Sequence, residues 1–245
     1  MITWREIRIK YKQSVMGMLW AVLMPAVIVS AGVVVRYAYS LIAHVSLAAA
    51  DVATVSVRAV PWAFFIASIR FATNSLISNT NLVTKISLPR EVFPVAAMLS
   101  QFADFAVASV VLAVFLAILR VGVSVQLLWV PSLVITLVVF TTGLGILLSA
   151  ASLFFRDVKY LVEVILTFAI FFTPVFYDAQ MFGRWAPALM LNPVAPLLES
   201  FSDVIVGHTA PPLAWLSYSI IVSLLTLAIA VSVFHKLDPY FAESV

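Results

Sequence analysis

The chain predicts an all-α integral membrane protein: six transmembrane helices, an N-terminal amphipathic interface helix, and short re-entrant helices before the last span. Three observations carry that prediction. Of 245 residues, 64% are hydrophobic and only 10% charged, with a mean hydropathy of +1.13. A soluble domain is about 45–50% apolar and about 25% charged. The apolar residues also fall in stretches near the roughly 20 residues that cross a bilayer as a helix, and the charges gather in short segments between them. Residues 1–245 therefore read as a single transmembrane domain.

Residues 1–18 form the interface helix. Trp4, Ile7, Tyr11, Val15 and Met18 recur at spacings of three and four and share one face, while Arg5, Arg8 and Lys12 share another. Thr3 and Glu6 have capping-box spacing. With Lys10, this makes a basic, aromatic-bearing helix suited to anionic headgroups. No apolar core or small-residue cleavage site marks a cleaved signal peptide.

Spans follow at about 19–35, 60–80, 95–119, 127–150, 160–177 and 213–234. Arg36, Tyr37 and Tyr39 stand at the far end of the first, where Arg snorkels and Tyr anchors. Ser, Thr and Asn lower the hydropathy of the second. Orientation follows from Lys and Arg. One side holds nine of them (Arg5, Arg8, Lys10, Lys12, Lys85, Arg90, Arg156, Lys159 and Lys236), and the other holds Arg36, Arg58, Arg120 and Arg184. The nine-residue side is expected to be cytoplasmic, with both termini inside.

Segment 174–212 is too broken for a span and too apolar for an aqueous loop. It carries six of the 12 prolines (Pro174, Pro187, Pro193, Pro196, Pro211 and Pro212) beside apolar runs. Short re-entrant or interfacial helices fit, because irregular backbone at membrane depth needs protein or a watery cavity around it.

The polar island at 81–94 is the most distinctive segment. It carries Lys85, Arg90 and Glu91 between Pro89 and Pro94, and the charge count places it on the cytoplasmic side, as a docking surface for a soluble partner. The chain offers no ATP site of its own, since none of its seven glycines forms a GxxxxGK[ST] loop. Cysteine is absent and His44, His208 and His235 have no ligand spacing, so neither a catalytic group nor a metal site is expected. Gly143-Leu-Gly145 reads as a helix-packing site.

Arg70, Asp104 and Glu163 lie inside apolar spans, where charge is costly and normally paired or functional. Arg70 and Asp104 stand about equally far from the island, at similar depth in a hairpin, and are expected to form an ion pair. Glu163 is expected to pair with Lys159 at i,i+4. In the fifth span Phe168, Phe172 and Phe176 share a face with Phe171 beside it. With Tyr37 and Tyr39 they are the candidate conduit aromatics, against the plainer reading of packing or lipid contact.

The chain resembles the membrane subunits of type-2 ABC exporters for polysaccharides, the family of O-antigen, capsule and teichoic-acid exporters. The resemblance rests on Arg8 through Pro25, Pro61-Trp62, Asn74-Ser75-Leu76, Asn79 through Pro94 with its Lys-x-x-x-Pro-Arg-Glu core, Phe155 through Tyr160, Thr173-Pro174-Val175 and Leu191-Asn192-Pro193. It implies a homodimeric channel in the bacterial inner membrane, bound to two copies of a cytoplasmic ATPase that holds ATP and Mg. The substrate would be a glycan on a polyprenyl pyrophosphate lipid. The island, with Lys85, Pro89, Arg90 and Glu91, would be the coupling helix, and 174–212 the outer gate. Membrane lipids are further partners; nucleic acid is not. Alternatives are a type-2 exporter of lipids or drugs, or an ion-gradient transporter with Asp104 or Glu163 in a proton path.

Overall fold

The computed structural model describes residues 3, 19–44, 46, 48–80 and 89–242. The interface-helix residues Trp4, Arg5, Arg8, Lys10 and Lys12 and the coupling residue Lys85 lie outside them. The described residues form helices without strands: α1 Trp20–Ala43, α2 Ala49–Ser78, α3 Val92–Ile118, α4 Val130–Phe154, α5 Val158–Ala169, α6 Ala186–Met190, α7 Val194–Ile205 and α8 Leu213–Leu237. Short 3-10 turns precede α4 and α6 and follow α8. Five helical stretches among the described residues are long and apolar enough to cross a membrane: Trp20–Ile42, Ala49–Ser78, Val92–Ile118, Val125–Phe154 and Leu213–Phe241.

Helix α2 is the centre, with α1, α3, α4, α5 and α7 all packed against it. Of its most apolar stretch 72% is buried, against 17% for α1 and for α3. This explains the second span's low hydropathy. A helix surrounded by protein can carry Ser56, Ser68, Thr73 and Ser75 buried, whereas a lipid-facing helix cannot hide them. Ser56 and Thr73 donate 2.7 Å bonds to carbonyls four residues back, and Ser152 of α4 donates to the Thr73 carbonyl.

Small residues set the helix spacings. A Cβ at Gly143 would stand 2.8 Å from the Leu227 backbone of α8, and one at Gly145 would stand 2.9 Å from Ala72 of α2. The Gly-Leu-Gly element is thus a two-sided packing site, as the sequence suggests. Gly32 plays the same part on α1, where a methyl would collide with Val55 and Phe176.

The expected span at 160–177 is not a full-length helix. Helix α5 has 12 residues, too few to cross a bilayer core, and the backbone then turns. Phe171 and Phe172 donate to carbonyls only three residues back, and Pro174 bars helical continuation. The freed carbonyls are satisfied from the core: Arg58 of α2 donates to Tyr177 at 2.7 Å and Pro174 at 3.3 Å. The short helices α6 and α7 stand within the segment where the sequence places them.

Candidate coupling end and conduit face

At one end of the bundle, Pro89–Glu91 turns the chain into α3, with Val92 N–H on the Pro89 carbonyl at 3.1 Å and Val95 N–H on that of Glu91 at 3.2 Å. Arg90 reaches the C-terminal end of α8. Its Nη1 lies 2.9 Å from Asp238 Oδ1 and also bonds the Asp238 carbonyl, and its guanidinium sits 5.8 Å from the Phe241 ring centre. Glu91 Oε1 lies 3.2 Å from His235 Nε2. Phe241 is fully buried against Phe234 and Phe154. Sequence reasoning assigns Arg90 and Glu91 to a partner; the fold first uses them to tie the island's exit to the chain's own C-terminal end.

Of the conduit aromatics, Tyr37, Tyr39, Phe168, Phe171 and Phe172 are exposed. Phe176 is buried, packed where Gly32 lets α1 approach. The expected stripe at 168, 172 and 176 does not extend that far, because the helical period stops at Ala169. On α5 only Val162 and Leu166 are buried, so most of this helix presents its side chains outward.

The expected Arg70–Asp104 pair is replaced by another. Arg70 Nε lies 2.7 and 2.9 Å from the two carboxylate oxygens of Glu163, joining α2 to α5. Lys159, the expected partner of Glu163, sits instead over the Tyr160 ring at 4.7 Å. Equal distance from the island puts Arg70 and Asp104 at one depth, but α5, packed beside α2, brings Glu163 to Arg70 instead. Both residues line a crevice of about 270 Å³ with Trp20 and Met24 of α1.

The other end holds a charge network that the sequence did not reveal. Helix α2 begins at Ala49, so Asp51 and Arg58 are helical instead of lying in a loop. Arg36 of α1 and Arg58 are both buried, at 8% and 3% exposure, and share Asp178: Arg36 Nη2 at 2.9 Å from Oδ2 and Arg58 Nη2 at 2.8 Å from Oδ1. Asp51 adds a 3.6 Å contact to Arg36. Arg58 Nε and Nη2 also donate to Ser202 of α7 at 3.0 and 2.8 Å. Glu199 accepts the Ala179 N–H at 2.7 Å. Burial pushes the Asp178 carboxyl up, but Arg58 and Arg36 outweigh it and hold the group below the usual carboxylate range. Burial raises Glu199 and Asp203, with Arg58 only partly offsetting it. The network borders a cavity of about 880 Å³ whose walls include Gln180, Pro212 and Trp215.

The family model described as "ABC-2 type transporter" matches residues 1–206. An O-antigen export system permease protein RfbA of Klebsiella pneumoniae is 28% identical over 247 residues, covering 99% of this chain and 92% of the relative. A second of that name from the same species is 26% identical with the same coverage. One from Myxococcus xanthus is 25% identical over 244 residues, covering 98% and 92%. With most of its length matched to the family, the chain belongs to the ABC-2 type transporter membrane family.

Proposed function

We propose that the chain is the channel subunit of an ATP-driven exporter that moves a polyprenyl-pyrophosphate-linked, O-antigen-like polysaccharide across the bacterial inner membrane. It works as a homodimer with two copies of a cytoplasmic ATPase and acts as one transmembrane domain. The observation that carries the reading is near full-length similarity to several proteins named as O-antigen export permeases.

The geometry supports a division of labour. Exposed aromatics on α1 and α5 offer flat apolar surfaces to sugar rings and demand no fixed sugar sequence, which suits a repeating polymer. The turn at Pro89–Glu91, fastened to α8 through Arg90 and Asp238, gives a force applied at 81–94 two routes into the bundle, through α3 and through α8. Segment 174–212, with α6 and α7, would form the outer gate.

The test is reconstitution. Purified with its companion ATPase in proteoliposomes, the protein should translocate lipid-linked glycan with ATP, and a proton uncoupler should leave transport intact. Failure of any ATPase to co-purify, together with collapse of transport under the uncoupler, would reject the exporter in favour of an ion-gradient transporter.

A further inference from the structure

Arg70 is a cation only partly used by its own protein. Its Nε is committed to Glu163, at 2.7 and 2.9 Å, but among the described residues neither terminal amino group has a protein acceptor. The pair is not hidden: the side chains are 40% and 42% exposed. With a hydrocarbon core of roughly 30 Å centred on the roughly 45 Å of α2, about 7 Å of helix projects at either end. Arg70 lies about 12 Å from the Ser78 end, inside the core.

A half-exposed ion pair at that depth is costly against lipid. Intramembrane charges face a protein interior or a watery passage, so the pair marks the passage side of the molecule. Trp20 and Met24 of α1 line the crevice that Arg70 borders. A guanidinium presenting two free amino groups in a poorly polar setting binds a phosphate in bidentate fashion.

The geometry points to Arg70 as a phosphate-binding residue of the conduit, held by Glu163 as a positioning residue so that its two terminal amino groups meet the pyrophosphate of the lipid-linked substrate. This rests on the exporter reading above. Glu163 fixes the fork through Nε and lowers the site's net charge, so the phosphate is held weakly enough to leave again.

The test uses the complete permease–ATPase complex in nanodiscs, with geranylgeranyl pyrophosphate as probe and geranylgeraniol as control. Wild type should bind the pyrophosphate and not the alcohol. Arg70→Gln should raise the half-saturating concentration at least tenfold, with Arg70→Lys intermediate. Glu163→Gln, which keeps an oxygen acceptor for Nε but removes the competing anion, should leave that concentration unchanged or lower it. A purely structural ion pair predicts the opposite pattern, with both neutral variants losing binding together. That outcome would overturn the inference, as would equal binding by Arg70→Gln and wild type, or competition by phosphatidylglycerol at the same concentration as the probe. If Arg70→Gln fails to assemble, Arg70→Lys and Glu163→Gln still decide. A wild-type complex that binds neither lipid and transports no glycan brings down the exporter reading itself, whereas a transporting complex indifferent to Arg70 brings down only this assignment.

Discussion

Arg58 and Arg70 stand twelve residues apart on one helix and have opposite fates. Arg58 is buried, and all three of its guanidinium nitrogens have acceptors in Asp178, Ser202 and the turn carbonyls of Pro174 and Tyr177. Arg70 makes one two-oxygen contact through Nε, and among the described residues the rest of its fork has no acceptor. A fully satisfied buried charge holds a fold together. A half-satisfied charge at membrane depth keeps hydrogen-bonding capacity that its own fold does not use, which is the basis of the phosphate-binding role proposed above.

The sharpest break of that comparison is Arg58→Met. It leaves Asp178 Oδ1 and two turn carbonyls without their donor; removal of one partner from a fully buried pair costs about 3–5 kcal/mol, an upper bound here because Asp178 is 36% exposed. We expect poor yield or a large fall in melting temperature in detergent. Arg70→Gln should cost less than about 1 kcal/mol, as exposed pairs do, so its melting curve should nearly overlay wild type. Equal destabilisation by the two changes would erase the contrast.

A smaller effect separates the acids of the same network by pH. Asp178 is depressed, so its contribution is present above the ordinary carboxylate value and is lost as pH falls through the folded value. Glu199 and Asp203 are raised, so the folded state takes up their protons first and stability rises as pH falls from neutral toward the ordinary carboxylate range. Melting temperature against pH should therefore climb on mild acidification and then drop. Glu199→Gln should flatten the climb, and Asp178→Asn should flatten the drop. A wild-type profile that only falls from neutral downward would contradict the assignment.

The smallest stability effect is expected at the coupling end. Arg90 and Glu91 make partly exposed contacts to Asp238 and His235, so Arg90→Ala or Glu91→Ala should scarcely shift the melting temperature. Both should nevertheless separate ATP hydrolysis from glycan export in the reconstituted complex. Normal export per ATP by both variants would show that the tie to α8 carries no force.

Much of the architecture was legible because lipid is an undemanding solvent. Length and apolarity locate α1, α3, α4 and α8 with little ambiguity, and Pro spacing flagged the broken region that contains α6 and α7. The fifth span misled because Tyr160 through Tyr177 is mostly apolar, with Glu163 its one charge; hydropathy does not register that the backbone can stop being helical where Arg58 supplies the missing donors. Phe176 was misassigned for the same reason, since a period of four residues means nothing beyond Ala169. The sequence places Arg36 at the membrane interface and Arg58 merely on the outer side, because a charge near the end of an apolar stretch gives no sign of a distant carboxylate at Asp178.

The amino-acid sequence by itself determined that this is a helical membrane protein of the ABC-2 type, because apolar length and motif order are local properties written along the chain. Only the tertiary structure decided which charges are partners. Arg70 with Glu163, Arg58 with Asp178 and Arg90 with Asp238 are 93, 120 and 148 residues apart, and such pairs exist only once helices have packed. Where surroundings are of low dielectric, that choice of partner separates a charge fully satisfied within the bundle from one that is only partly satisfied.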